Sequence, residues 1–336
     1  MTIDKNFIEK FVNITSKAAL ASSYLVGKKD KIAADKAAVD SMRSELNNLE
    51  MKGRIVIGEG ELDEAPMLYI GEKLGTNNGP EFDIAVDPLE GTNFAANNLP
   101  GALSVIAVAE KNSLFNAPET YMEKISTKIT EKNVIDLDYT VKQNISNLSD
   151  YLNKNPEELT ACILDRPRHK EIIDQLNKLK VNLKLITDGD VSGALLVTEE
   201  KYNVDIFLGI GGGPEGVLAA AALDAFNCNF QGRFLFKTQE DITRAKKMGI
   251  NDLTKKYSLN EIVTGDSIFC ATGITSGDLV SGIEIQGNEF ISETLVTHKS
   301  SGLKKVIKLK QNLKWYAWLI IDFTIKNSNS VPSSIG

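Results

Sequence analysis

Apolar positions at the start of the chain recur at helical spacing. Phe7, Phe11, Ile14, Ala18 and Leu25 share one stripe and predict a long amphipathic helix. A second helix is expected over about 30–49, closing near Gly53. Beyond it the period shortens, and apolar runs predict strands over 54–58, 82–87, 103–109, 161–165, 183–187 and 204–210. Helical stretches fall between several of them, over 63–74, 140–152, 168–179, 191–199 and 214–226. That alternation predicts an α/β layered architecture rather than a helical bundle or a β-sandwich. The region around 110–160 is polar and reads as a connector between an N-terminal lobe over 1–160 and a C-terminal lobe over 161–295. After Glu293 the only acid is Asp322, against seven lysines, and both tryptophans, Trp315 and Trp318, fall here. The segment 296–336 therefore reads as an atypical tail with a disordered, Ser- and Asn-rich end. A docking strand, an appended tail or an altered reading frame would each fit it.

At 336 residues the chain can form one large layered domain or two lobes with cores of their own. A net charge of -7 offers no basic field to draw in nucleic acid or an anionic membrane. A phosphorylated substrate remains compatible, provided bound cations reverse the sign locally. No basic segment followed by an apolar run opens the chain, and the longest late apolar run, 316–321, falls short of the roughly 20 residues that span a bilayer. Cys162, Cys228 and Cys270 are odd in number, far apart and set in apolar segments. They read as buried reduced thiols of a cytoplasmic protein rather than as disulfides or a zinc site. With His169 and His298 the only histidines, chemistry has to rest on carboxylates, hydroxyls and cations.

Three predicted strands deliver acids into glycine-rich turns. Residues 83–93 read Asp-Ile-Ala-Val-Asp-Pro-Leu-Glu-Gly-Thr-Asn, which fixes Asp87 and Glu90 at a strand end just before Gly91 and Thr92. The other two are the run holding Glu59, Glu61, Asp63 and Glu64, and the run Gly211-Gly-Gly-Pro-Glu215-Gly. In an open α/β sheet ligands bind beyond the strand ends, so these turns can converge, with Asp35 leaning in from a helix. Carboxylates are hard oxygen ligands suited to Mg²⁺ or Mn²⁺, and a Gly-Thr step opening a helix suits a phosphate. Asp165-Arg-Pro-Arg168-His169 adds two guanidiniums that can grip a phosphate, and Thr187-Asp188-Gly-Asp190 offers acceptors for sugar hydroxyls. Each group also has a purely structural reading. Glu61, Asp63, Glu64 and Glu215 could be first-turn acids, Asp87 and Glu90 a simple turn, Asp35 a solvated helix position, and Asp188 or Asp190 an N-cap. The glycines also satisfy Gly-x-Gly-x-x-Gly, the dinucleotide fingerprint, but Glu215 would repel a pyrophosphate and Pro214 removes a donor.

The run Asp87-Pro-Leu-Glu90-Gly-Thr92-Asn is similar to the motif of lithium-sensitive, metal-dependent sugar and inositol phosphatases. More specifically, Ile57-Gly-Glu-Gly-Glu-Leu-Asp-Glu-Ala-Pro-Met-Leu-Tyr-Ile-Gly71, Arg166-Pro-Arg168 and Gly-Gly-Gly-Pro-Glu215-Gly-Val resemble bacterial class II fructose-1,6-bisphosphatase over about residues 1–295. The resemblance implies a five-layered αβαβα sugar-phosphatase fold and a divalent-cation site, usually Mn²⁺ or Mg²⁺. It implies hydrolysis of the 1-phosphate of fructose 1,6-bisphosphate in gluconeogenesis. Some members also act on sedoheptulose 1,7-bisphosphate. Carried over by position, Asp35 and Glu59 would hold one metal and Asp87, Glu90 and Glu215 another. Glu90, Gly91 and Thr92, Tyr121, Arg166, Pro167 and Arg168, Asp188, Gly189 and Asp190, and Gly212 would contact substrate. Thr92, Glu59 and Asp63 carry the chemistry in this reading: Thr92 Oγ orients the attacking water and Asp63 polarises that hydroxyl, a role inferred from position. The partner is then a small sugar bisphosphate, with no nucleic acid or membrane, and the chain is expected to form a homodimer or homotetramer. Competing readings are an inositol or nucleotide phosphatase, a noncatalytic cation-binding protein and a nicotinamide-dependent oxidoreductase.

Overall fold

A computed structural model describes residues 2–60 and 67–313. The N-terminal half runs α1 (Asn6–Ser23), α2 (Lys31–Asn47), β1 (Lys52–Ile57), β2 (Lys73–Leu74), β3 (Glu81–Glu90), α3 (Thr92–Ala96), β4 (Leu103–Glu110), β5 (Tyr121–Thr127) and α4 (Val141–Leu152). Next come β6 (Thr160–Leu164), α5 (Lys170–Lys178), β7 (Asn182–Ile186), α6 (Asp190–Leu195), β8 (Ile206–Gly212) and α7 (Gly213–Phe226). The remainder is β9 (Asn229–Leu235), α8 (Gln239–Lys247), β10 (Tyr257–Ser258), α9 (Leu259–Ile262), β11 (Ser267–Gly273), β12 (Glu284–Gln286), β13 (Glu289–His298) and β14 (Leu303–Asn312).

Two sheets form among these residues. The first has the order β12-β13-β11-β4-β3-β1-β2, with β14 also paired to β13; the second has the order β10-β9-β5-β8-β6-β7. Three apolar cores separate five layers. Phe11, Ile14 and Val12 of α1 and Met42 and Leu46 of α2 pack on one face of the first sheet, against Ile84, Ile106, Ile268 and Val296. The opposite face, through Val105 and Ala107, meets α6 and α7, which in turn cover Phe207 and Phe230 of the second sheet. Beyond that sheet, Ile145 and Leu148 of α4 and Leu176 of α5 pack on Ala161, Ile206 and Leu208. The result is αβαβα, as expected. β3 and β4 are buried almost throughout because both their faces are covered.

Several expectations need correction. The helix expected over 63–74 does not form in its described part: residues 67–72 turn, Leu68 takes a φ of 54°, and β2 follows. The Glu72 carboxylate accepts the Leu68 N–H and is held by Arg43 Nε at 2.6 Å, so a tertiary ion pair organises this stretch. The polar connector around 110–160 contains, besides the expected helix α4, the unexpected β5, which lies between β8 and β9 in the second sheet. The lysine-rich stretch after 296 supplies the end of β13 and all of β14, while residues 314–336 lie outside the described set. β11 to β14 return to the first sheet, so the two sheets interleave along the chain. The cysteines are free and buried. No helix among the described residues is long and apolar enough to cross a membrane.

Candidate active site

β1 and β3 run parallel in the first sheet, and β6, β7 and β8 run parallel in the second. Their C-terminal ends open onto a common cavity of about 530 Å³. Asp35 reaches it from α2, Glu59 from the turn after β1, Asp87 and Glu90 from the end of β3, and Glu215 from the first turn of α7. The sequence builds two alike corners here. Gly91, with φ 80°, turns the chain between Glu90 and the start of α3 at Thr92; Gly189, with φ 81°, does the same between Asp188 and the start of α6 at Asp190. At the β8 end the backbone comes close to two carboxylates. A Cβ on Gly211 would lie 2.0 Å from Asp190 Oδ2, and one on Gly212 would lie 1.9 Å from Glu215 Oε2. Those carboxylates occupy the ground a pyrophosphate would need, which removes the dinucleotide reading.

Crowding and burial make the acids hold their protons more tightly than usual. Burial, then repulsion from Asp35 and Glu119, pushes Glu59 up to about 8. Burial raises Glu90 to about 8 even though Val191 and Ser192 donate to it. Asp87 is raised well above the ordinary range by burial and then by Glu90, Glu59, Glu215 and Asp35. Burial lifts Asp35 to about 6. In Glu215 burial raises the pKa while Lys124 opposes it. Burial leads every shift, and repulsion from neighbouring acids adds to it in Glu59, Asp87, Glu90 and Glu215.

The donor set fits a divalent cation. Glu90 is 4% exposed, and its Oε1 accepts from Val191 N at 2.5 Å. Its Oε2 is buried without a hydrogen-bond partner, an orphan acceptor facing a cluster of acids. Oxygen donors of this kind suit Mg²⁺ or Mn²⁺. Among the described residues, no group of three His, Cys, Asp or Glu side chains is already drawn together to hold an ion. The acids share the cavity without closing on one point.

The cationic wall comes from the turn after β6. Pro167 starts a short 3₁₀ turn that carries Arg168, and Arg166 sits just before it. Arg166 Nη2 lies 3.7 Å from Asp188 Oδ1, while Arg168 Nε donates to Ile210 O at 2.8 Å. Arg168 also lies over the Tyr121 ring, 5.1 Å from its centroid, and Lys237 Nζ lies 4.6 Å from the same ring. Asp35, Glu59, Asp87, Glu90, Gly91, Thr92, Tyr121, Arg166, Arg168, Asp188, Gly189, Asp190, Gly212 and Glu215 thus border one space. Pro167 shapes the turn and is not part of the cavity lining. Asp63 lies outside the described residues.

Lys124 is absent from the sequence-based set. It is 1% exposed, pairs with Asp190 Oδ2 and donates to Gly212 O at 2.6 Å, and so ties two substrate-side turns together. The run Tyr-Met-Glu-Lys-Ile-Ser-Thr gives no sign of this, because Glu123 and Lys124 resemble surface positions.

The sequence pattern of the family described as bacterial fructose-1,6-bisphosphatase, glpX-encoded, matches residues 5–311. The chain belongs to that family. The match extends past residue 295, where the resemblance was expected to end, through most of β14. The D-fructose 1,6-bisphosphatase class 2/sedoheptulose 1,7-bisphosphatase of Prochlorococcus marinus (strain MIT 9301) is 39% identical over 308 residues, 88% of this chain and 92% of its own. Its namesake in Trichodesmium erythraeum (strain IMS101) is 38% identical over 317 residues, 87% of this chain and 92% of its own. The solved inositol monophosphatase of Anabaena (Nostoc) sp. PCC 7120 overlaps 58% of this chain and 71% of its own at 14% identity and a TM-score of 0.30. An overlap that loose decides nothing. For a member of this bisphosphatase family, acids opposite guanidiniums form a sensible floor and wall for a doubly phosphorylated sugar.

Proposed function

We propose that this chain hydrolyses the 1-phosphate of fructose 1,6-bisphosphate to fructose 6-phosphate and inorganic phosphate, with Mn²⁺ or Mg²⁺ as the cation. Gluconeogenesis in the cytoplasm is the setting this reaction would serve. The observation that carries the reading is one cavity with a crowded acid cluster, including the orphaned Glu90 Oε2, on one side and Arg166 and Arg168 on the other. Sedoheptulose 1,7-bisphosphate is the second substrate of the reading, because the relatives carry both names.

Asp35, Glu59, Asp87, Glu90 and Glu215 would hold the cations. Bound there, a divalent ion supplies positive charge to the reacting phosphate and makes an attacking water more acidic. Thr92 Oγ, at the start of α3 beside Glu90, orients that water, and Asp63 is assigned to accept from its hydroxyl. Arg166 and Arg168 anchor the second phosphate, which fixes the first within the acid cluster and favours a bisphosphate over a monophosphate. Tyr121 walls that end, while Asp188 and Asp190 accept from sugar hydroxyls. Lys124 keeps Asp190 in place.

Phosphate release is measured from fructose 1,6-bisphosphate, sedoheptulose 1,7-bisphosphate, an inositol monophosphate and a 3′-nucleotide, with Mn²⁺, with Mg²⁺ and with a chelator. Cation-dependent release favouring the two bisphosphates is expected. Equal or better turnover of the inositol phosphate or nucleotide would overturn the substrate assignment, and release unaffected by the chelator would overturn the metal assignment. Self-association into a dimer or tetramer belongs to the same reading and is read by light scattering.

A further inference from the structure

His169 is a fully buried titratable group next to the cavity that the mechanism above does not use. Its Nε2 accepts a hydrogen bond from the Ile210 N–H at 2.7 Å. The ring proton therefore sits on Nδ1, which donates to the Leu164 carbonyl at 2.6 Å. Arg168 completes the arrangement, since its Nε donates to the carbonyl of the same Ile210 at 2.8 Å. Two adjacent side chains of the 3₁₀ turn thus grip both polar groups of one residue in β8. The ring lies against Gly209, where a Cβ would sit 3.2 Å from Nε2. Two residues beyond Ile210 is Gly212, which borders the cavity and accepts from Lys124.

We propose that His169 is a positioning residue for the distal phosphate of the substrate: it clips the Arg-Pro-Arg turn to the glycine-rich end of β8 and thereby sets where Arg166 and Arg168 stand. The inference rests on the preceding reading, in which those arginines hold the second phosphate. A neutral imidazole supplies the one donor and one acceptor that this place requires. An imidazolium would turn Nε2–H against the Ile210 N–H and release the clip. The charged groups acting on the ring are Arg168 of its own turn and Asp190 of α6. β6 and β8 contain no charged side chain, and their polar contacts to the ring are the Leu164 carbonyl and the Ile210 N–H. Burial lowers the His169 pKa, Arg168 acts in the same direction, and the Leu164 carbonyl and Asp190 oppose them. The neutral form therefore persists through neutral pH, and the clip opens only on acidification below the usual histidine range.

The test compares wild type, His169→Leu and His169→Gln. Leu fills the volume without bonds, and Gln keeps a neutral donor and acceptor. KM and kcat are measured for fructose 1,6-bisphosphate and for fructose 1-phosphate, which lacks the distal phosphate, from pH 5.5 to 8, alongside thermal melts. His169→Leu is expected to raise KM for the bisphosphate about tenfold, with kcat and the KM for fructose 1-phosphate within about twofold. His169→Gln should recover most of that loss. Relative to wild type at each pH, which cancels titration of the substrate, both variants should lack part of the acid-side rise in KM. A folded Leu variant that changes both substrates equally would overturn the proposal, as would a Gln variant that keeps the full acid limb. If the Leu variant does not fold, the Gln variant decides by its acid limb. Calorimetric binding of the bisphosphate with the cation omitted reads the anchor without turnover. Weaker binding by the variants then supports the clip even if wild type releases no phosphate, and in that case only the proposed reaction fails.

Discussion

Glu90 accepts two backbone N–H groups at one carboxylate oxygen and leaves the other, buried, with none. A carboxylate held this way is fixed in direction before any ligand arrives, so its loss should not be compensated by a neighbour. Glu59 lies in the same cavity, where burial and then Asp35 and Glu119 raise its pKa. Glu59→Ala and Thr92→Ala are each expected to lower kcat by at least about two orders of magnitude, while Arg168→Ala chiefly raises KM. Steady-state kinetics on the bisphosphate check both; near-normal turnover in Glu59→Ala would remove it from the cation site. Lys124 makes a different prediction, about stability. Replacing it with Met strands Asp190 as a buried, unpaired acid and should cost about 3–5 kcal/mol in urea unfolding, with partial recovery in Lys124→Met/Asp190→Asn.

At the scale of elements, the strand-end corners were legible because their signals are local. Gly91 and Gly189 sit between an acid and a helix start, and the left-handed turn they supply is a property of glycine itself. α4 was legible for the same reason. Thr140 accepts from Gln143 N while Gln143 Oε1 accepts from Thr140 N, a reciprocal cap readable as Thr-x-x-Gln. Thr140→Ala should lower unfolding free energy by about 1 kcal/mol without changing KM, as measured by denaturant titration and kinetics. β5 was not legible. Its Glu123 pairs with Arg233 of β9 and its Lys124 with Asp190 of α6, partners 110 and 66 residues away. Charges that look solvated in a local window become internal once such partners arrive. The stretch 67–72 failed for the same reason, because Arg43 on α2 orients the Glu72 carboxylate that holds its turn.

For the whole molecule, the acid cluster ties stability to pH and to cations. Folding raises Glu59 and Glu90 from an ordinary 4.5 to about 8 and Asp35 from 3.8 to about 6. A carboxyl group whose folded pKa is raised contributes most below its unfolded pKa and loses that contribution as pH rises through the folded value. With chelator present, the melting temperature should therefore fall between about pH 4.5 and 8 through these groups. A bound cation offsets the repulsion, so Mn²⁺ should raise the melting temperature, and more at pH 8 than at pH 5. At one hundred times its Kd the ion adds about 2.7 kcal/mol. A melting temperature indifferent to Mn²⁺ at pH 8 would count against the cation assignment.

The sequence by itself determined the alternation of strands and helices, the acids at strand ends and the family to which the chain belongs. All three depend on residue type, short-range spacing and order along the chain. Only the tertiary structure decided that β5 and β14 are sheet strands, that Lys124 is buried and that His169 clips one turn to another. Those outcomes depend on partners distant in sequence, whose charge and hydrogen-bonding groups determine whether a polar residue can be taken out of water.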